Sequence, residues 1–99
     1  MASLSSIPVS GMRAAQAQLR SSAHNVANLQ TANFRREEVL QAELPQGGVV
    51  ARVRTADQAG PDLQADVVNQ LEAKNAFAAN LQVFKRQSEA LGRLLDDKA

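Results

Sequence analysis

The chain has 99 residues, which is enough for one small domain. Hydrophobic residues make up 44% of it, but alanine supplies 18 of them, and aromatic residues make up only 3%. A compact globular core needs bulkier side chains, so this composition favours thin seams between helices over a self-contained enzyme. The net charge of +1 is unlike the clustered positive charge of a nucleic-acid-binding protein.

The residue types that the chain lacks exclude several kinds of site. It has no cysteine, which rules out disulfides, zinc–thiolate sites and cysteine nucleophiles. His24 is the only histidine, and we interpret it as a helix-surface residue because a metal site needs several converging ligands. No apolar run approaches the ~20 residues of a membrane span. Residues 1–8 lack the basic and apolar regions of a cleaved secretory signal. We therefore expect no enzyme activity, no cofactor, no metal, and neither nucleic acid nor a small-molecule substrate as partner.

The first predicted element is a helix over residues 7–33. Its larger apolar side chains are separated by alternating steps of three and four residues, which is the period of a helix seam. Gly11 is unfavourable inside a helix, so a start after it is the alternative to a start at residue 7. The predicted seam comprises Met12, Ala15, Leu19, Ser22, Val26 and Leu29.

The second predicted element is a β-hairpin over residues 36–55. Residues 45–48 (PQGG) form a turn signature between two runs in which apolar and other residues alternate. An isolated hairpin is only marginally stable in water, so we expect it to lie on a helix or to pair with another copy. The stretch of residues 35–38 (RREE) is interpreted as a solvated segment of mixed charge. The predicted apolar face comprises Leu40, Ala42, Leu44, Val49, Ala51 and Val53.

The third predicted element is a helix over residues 62–96. Asp62 is a suitable N-cap, and Asp66 favours the first turn electrostatically. The predicted fold is therefore mainly α, with two long antiparallel, coiled-coil-like helices linked by a short β-hairpin in one elongated domain. Each helix then has one partner in the monomer, which leaves apolar surface for another copy. The predicted seam of this helix comprises Val67, Gln70, Lys74, Phe77, Leu81, Phe84, Ser88, Leu91 and Leu95.

An asparagine-rich cluster ends the first predicted helix. Asn25 and Asn28 are three residues apart and therefore share a helix face, where a buried pair would set the register of packed helices. The alternative interpretation is a C-terminal cap, in which Asn33 adopts the left-handed conformation and Thr31 hydrogen-bonds back to the backbone. Asn80, in the last helix, is expected to meet polar groups of a partner.

At these residues the sequence resembles the flagellar rod and hook axial proteins. Their N-terminal signature is a helix ending in Ala-x-Asn-apolar-Ala-Asn-x-x-Thr-Pro-Gly followed by Phe or Tyr. Residues 23–34 (AHNVANLQTANF) follow it, with Ala32 in place of Pro and Asn33 in place of Gly. The start at residues 10–12 (SGM) is also similar.

The C-terminal half carries a second, shorter match to the same family. Residues 76–80 (AFAAN) are similar to the family's Ala-Tyr-Glu-Ala-Asn segment, with Phe77 in place of Tyr and Ala78 in place of Glu. Residues 47–50 (GGVV), followed by a short strand, resemble a segment of the proximal rod proteins. Together the matches bracket nearly the whole chain.

The resemblance implies a structural subunit of the bacterial flagellar basal-body rod that assembles by helix–helix packing. It also implies export through the flagellar secretion channel without a cleaved signal, a location in the periplasmic rod, and partners among copies of the chain, other rod and hook subunits and the export apparatus. The alternative is a coiled-coil adaptor or chaperone-like dimer that binds a partner helix. The predicted assembly interface comprises Met12, Leu19, Asn25, Val26, Asn28, Thr31, Phe34, Phe77, Asn80, Leu81, Phe84 and Leu91.

Overall fold

The computed structural model describes residues 6–98. Outside the described residues lie Ala99 and residues 1–5, which belong to the N-terminal segment that lacks the pattern of a secretory signal. The chain is mainly helical, with two helices and a two-stranded antiparallel hairpin between them, as predicted. The elements in chain order are α1 (Ser6–Ala27), β1 (Glu37–Glu43), β2 (Val49–Thr55) and α2 (Leu63–Lys98).

Helix α1 is shorter than the predicted helix over residues 7–33, because it ends at Ala27. Turns follow it, with the Thr31 N–H donating to the Asn28 carbonyl at 2.9 Å. Asn33 has a φ of 60°, so it does adopt the predicted left-handed conformation, but within these turns and not at the helix end. With 22 residues in α1, the finer prediction of two long coiled-coil-like helices is not confirmed.

Gly11 lies inside α1, so the helix begins close to the predicted residue 7 and not at the alternative start after Gly11. The reason is the close approach of α2 at this point. A Cβ atom on Gly11 would lie 2.5–2.6 Å from the side-chain amide atoms of Asn80. The glycine therefore costs helix propensity but provides the space in which Asn80 packs against α1.

Small and polar side chains form most of the interior. Among the described residues, the buried hydrophobic ones are Ala14, Ala15 and Ala73. The predicted α1 seam is only partly buried, since Leu19 and Val26 are exposed. The helices pack through the two small members of the seam, Ala15 and Ser22, and through small residues beside them, because small side chains let the backbones approach closely. The other buried residues of α1 are Pro8, Ser21, Ser22 and Asn25.

The hairpin does not have the single apolar face that alternation predicted. Its register pairs Leu40 with Arg52 and Val39 with Val53, so Leu40 and Val53 point to opposite faces. The turn at residues 44–48 sets this register, and Gly47 and Gly48 take positive φ values of 99° and 89° in it.

The hairpin lies on α1, as expected for a strand pair that is marginal by itself. Its tip is attached near the start of α1. The Ser10 hydroxyl accepts from the Val49 N–H at 3.1 Å and donates to the Ile7 carbonyl at 2.7 Å. Since both the hairpin and α2 pack on α1, α1 is the middle element of a molecule that measures 63 × 24 × 14 Å.

Helix α2 is capped as predicted, since Asp62 Oδ1 accepts from the Ala65 N–H at 3.1 Å. Its 36 residues correspond to ~54 Å at 1.5 Å per residue. It runs antiparallel to α1, because Asn25 near the end of α1 meets Asp66, whereas Gly11 near the start meets Asn80. The two contacts are 14 residues apart in both helices, so one constant register places Ser6 opposite about residue 85. Residues 86–98 therefore extend beyond the described start of α1.

Candidate functional site

A buried polar cluster joins α1, the hairpin and α2. We call it the polar clasp and define it as Asn25, Arg36, Glu37 and Asp66. The Asn25 amide donates to the Glu37 carbonyl and to Asp66 Oδ1, both at 3.0 Å, and its Oδ1 accepts from the Glu37 N–H at 2.7 Å. One side chain thus satisfies the backbone of the first hairpin residue and a carboxylate of the other helix.

Asp66 and Arg36 form the charged half of the clasp. The carboxylate of Asp66 is 1% exposed and the guanidinium-bearing side chain of Arg36 is 14% exposed. Arg36 Nη2 bonds to Asp66 Oδ1, and Arg36 Nε lies 3.4 Å from Asp66 Oδ2. The hydrogen bond to Asp66 raises the pKa of Arg36, so the guanidinium keeps its charge. A buried carboxylate is tolerated here because it is paired and hydrogen-bonded.

Glu37 extends the clasp toward the surface. The Ser21 hydroxyl donates to Glu37 Oε2 at 2.9 Å, and His24 Nε2 lies 3.7 Å from Glu37 Oε1. The ring of His24 also meets Phe34 edge-on, with 5.3 Å between the ring centroids. The histidine is exposed, in agreement with its interpretation as a surface residue.

The polar residues predicted for the assembly interface form hydrogen bonds within the chain. Asn25 is buried in the clasp and is therefore not available to a second copy, because its amide groups already have partners. Asn28 donates from Nδ2 to the His24 carbonyl at 2.9 Å, and the Thr31 hydroxyl donates to Asn28 Oδ1 at 3.2 Å. The Thr31 hydroxyl thus bonds to a side chain and not, as the capping interpretation expected, to the backbone. Asn80 donates to the Ala76 carbonyl of its own helix at 2.8 Å.

The predicted apolar interface residues divide into two groups. One group is half-buried within the chain and stabilises the α1–α2 pair and the turn after α1; it comprises Met12, Phe34, Phe77, Leu81 and Phe84. The other group is exposed and comprises Leu19, Val26 and Leu91. Of the two groups, the second is the one whose apolar surface is exposed to solvent in a single copy.

An apolar groove lies between α1 and the first half of α2. We call it the α1–α2 groove; its volume is about 510 Å³. Leu19 contributes from α1, and the exposed side chains of Val67 and Leu71 contribute from α2. The remaining lining residues are Ala15, Gln16, Gln70, Ala73, Lys74 and Phe77.

A second apolar surface lies at the far end of α2. Leu91, Leu94 and Leu95 are 60%, 58% and 63% exposed, and we call them the tail leucines. They are spaced by three and four residues and so occupy one side of the helix. They lie in the part of α2 that extends beyond the described start of α1, which explains why α1 leaves them uncovered.

Metal binding and membrane insertion are two other functions on which the arrangement of residues 6–98 bears. No group of three or more His, Asp or Glu side chains is placed to hold a metal ion in this range. Neither described helix is long and apolar enough to cross a membrane.

The clasp residues Arg36, Glu37 and Asp66 are not among the site residues that the sequence predicts. The mixed charge of residues 35–38 predicts a solvated segment, whereas Arg36 is largely buried against Asp66. A signal was present in α2, since the positions 66, 73, 80 and 87, seven residues apart, hold three polar residues and one alanine in a helix seam. Such a row marks a polar seam toward a neighbouring helix.

Comparisons with known proteins leave the family unassigned. No protein-family model matches the chain, and no curated protein matches it significantly.

Proposed function

We propose that this chain is a structural subunit that functions by self-association through its helices. The specific assembly that we propose is the bacterial flagellar basal-body rod, and this part of the proposal is supported by the motifs at residues 23–34 and 76–80. The proposal assigns no catalytic role and no cofactor to the chain.

The observation that carries the self-association is the distribution of side-chain size between interior and surface. The helices pack through alanine, serine and asparagine, whereas leucines and valines of both helices remain exposed in a single copy. Monomeric proteins rarely leave contiguous apolar patches of this kind uncovered. Full burial of one leucine or valine stabilises a protein by roughly 1.5–3 kcal/mol, so a few such residues per chain suffice to drive assembly.

The shape of the molecule supports an assembly of many copies. The molecule is 63 Å long and only 14 Å thick, so its surface is large relative to its interior. Copies that pack side by side along their long axis can therefore bury a large area. In the proposed rod, these neighbours include other axial subunits, and the flagellar export apparatus delivers the chain to the periplasmic rod.

A concentration series tests the self-association. Sedimentation velocity and light scattering on the purified chain should show mass that grows with concentration without reaching a fixed value. A closed dimer of constant mass would instead support an adaptor that binds a partner helix in the α1–α2 groove. A monomer at every concentration would contradict self-association.

A second experiment tests the rod itself. The tagged chain, expressed in the bacterium that encodes it, should co-purify with intact basal bodies and remain after the outer filament has been removed. A variant with both Leu91→Gln and Leu95→Gln should be lost from the basal bodies. This variant retains Asn25, so the hydrogen bonds that hold the fold together are unchanged. Absence of the unaltered chain from basal bodies would contradict the rod assignment while leaving self-association open to the first test.

A further inference from the structure

We infer that the tail leucines of one copy dock into the α1–α2 groove of a second copy, which joins the chains head to tail. This inference rests on the proposed self-association and names the two surfaces that carry it. The surfaces are both apolar, both open in a single copy, and different from each other.

The groove has the shape and lining of a helix-binding surface. It lies between two antiparallel helices and is lined by Leu19, Val67, Leu71 and Phe77. The tail supplies the complementary element, because Leu91, Leu94 and Leu95 project from one side of a continuous helix. Anchors with this i, i+3, i+4 spacing are typical of a helix that lies in an apolar groove.

The tail cannot occupy the groove of its own chain. Helix α2 is continuous from Leu63 to Lys98, so Leu71 and Leu95 are held ~36 Å apart at 1.5 Å per residue. A helix would have to break in order to fold back over this distance. The occupant is therefore the tail of another copy.

The charges at the ends of the two surfaces are complementary. Lys74 lines the groove, and Asp96 directly follows the tail leucines. Neither side chain has an ion-pair partner among the described residues. If a second copy is displaced along the axis of α2 by 22 residues, roughly 33 Å, its Asp96 comes level with Lys74 of the first. The same displacement brings its Leu91 and Leu95 level with residues 69–73, beside the groove.

The geometry also predicts the form of the assembly. The groove and the tail are different surfaces, so each copy that fills one groove still offers its own groove to the next copy. Such a contact repeats without closing and produces open-ended strands. This contact cannot close into a dimer, because the displacement along α2 carries the tail of the first copy away from the groove of the second.

Charge exchange between the two surfaces tests the inference. The variants are Lys74→Glu and Asp96→Lys, and each alone places like charges at the proposed contact. We expect each to require a several-fold higher concentration than the unaltered chain for assembly, measured by light scattering. In an equimolar mixture, the groove of each variant faces a tail of opposite charge from the other, so assembly should return to the unaltered concentration. The matched control is Lys85→Glu, which makes the same charge change outside the groove.

The results distinguish failure of the tail–groove contact from failure of self-association itself. Circular dichroism and thermal unfolding of the dilute variants should match those of the unaltered chain, because both side chains are exposed. If the single variants assemble like Lys85→Glu, or if mixing them restores nothing, the tail–groove contact is wrong although self-association stands. A closed dimer also overturns the contact. If the unaltered chain does not assemble at all, the inference and the proposed self-association fail together.

Discussion

The side-chain amide of Asn25 donates to Oδ1 of Asp66 at 3.0 Å, which joins residues 41 positions apart in the chain. The same amide is paired with the backbone of Glu37 at both its nitrogen and its oxygen. A single asparagine therefore holds together the end of α1, the first strand and the start of α2. It does so where the surrounding interior contains few bulky apolar side chains.

The first prediction concerns this asparagine. Asn25→Ala removes three hydrogen bonds and leaves buried polar groups of Glu37 and Asp66 without that partner, so we expect the free energy of unfolding to fall by about 2–4 kcal/mol. Urea unfolding followed by circular dichroism measures it. The control is Asn28→Ala, which removes two exposed contacts, to the His24 carbonyl and to the Thr31 hydroxyl, and should cost less than about 1 kcal/mol because water replaces both. Equal losses for the two variants would contradict the central position of Asn25.

The second prediction concerns the buried ion pair. Arg36→Leu leaves the carboxylate of Asp66 buried without its cation, and we expect a loss of about 3–5 kcal/mol in the free energy of unfolding. Changing Asp66 to leucine as well should recover part of this loss, because no unpaired charge then remains buried. A double-mutant cycle by urea unfolding measures the coupling.

An exposed ion pair provides the matched control for that cycle. Arg54 and Glu38 pair across the hairpin at 2.8 Å, but the Arg54 side chain is 55% exposed. We expect Arg54→Leu to change the free energy of unfolding by less than about 1 kcal/mol. If Arg36→Leu costs no more than Arg54→Leu, burial is not what makes the Arg36–Asp66 pair important.

The third prediction compares two helical glycines. Gly11→Ala places a methyl group against the Asn80 amide, which must move and give up its bond to the Ala76 carbonyl. We expect a net loss of about 1 kcal/mol despite the better helix propensity of alanine. Gly92→Ala meets no atom within 4 Å and should stabilise the helix by about 0.5–1 kcal/mol. Thermal unfolding at low protein concentration measures both.

A second-site change checks the cause assigned to Gly11. In the Asn80→Ala background the space beside Gly11 is open, so Gly11→Ala should there become neutral or stabilising. A Gly11→Ala variant that is equally destabilised in both backgrounds would show that contact with Asn80 is not the reason for the glycine.

The fourth prediction concerns the exposed leucines. Leu91→Gln should raise the concentration needed for assembly, because it removes about 1–2 kcal/mol of apolar burial from the contact, while leaving the stability of the dilute chain nearly unchanged. The control is Leu40→Gln on the outer face of the hairpin, where a leucine of similar exposure lies outside both proposed surfaces. Sedimentation velocity compares the two. Assembly that responds equally to both changes would indicate that exposure alone, and not position on α2, is responsible.

The order of elements was readable from the sequence because local chemistry decides it. Asp62 caps α2 through its own side chain, and residues 45–48 turn the chain with two glycines at positive φ. These preferences depend on neighbouring residues only, so the helix–hairpin–helix order follows from them. The left-handed Asn33 belongs to the same class, since asparagine tolerates that conformation by itself.

Tertiary contacts decided which faces are buried, and there the sequence pattern was misleading. A search for large apolar residues selected Leu19 and Val26, whereas α1 packs through its smaller residues because Gly11 and the alanines permit a closer approach of α2. The hairpin register is likewise set by the turn, so that Leu40 and Val53 separate to opposite faces. Alternation within each strand cannot reveal how two strands are aligned.

The sequence by itself determined the kinds of element, their order and the shortage of bulky side chains for a core. Only the tertiary structure decided that Arg36 and Asp66 meet in the interior, because their pairing depends on how the hairpin and α2 both pack on α1 and not on any local preference. It also decided that Leu91, Leu94 and Leu95 stay uncovered, because that follows from the difference in length between the two helices once they are aligned.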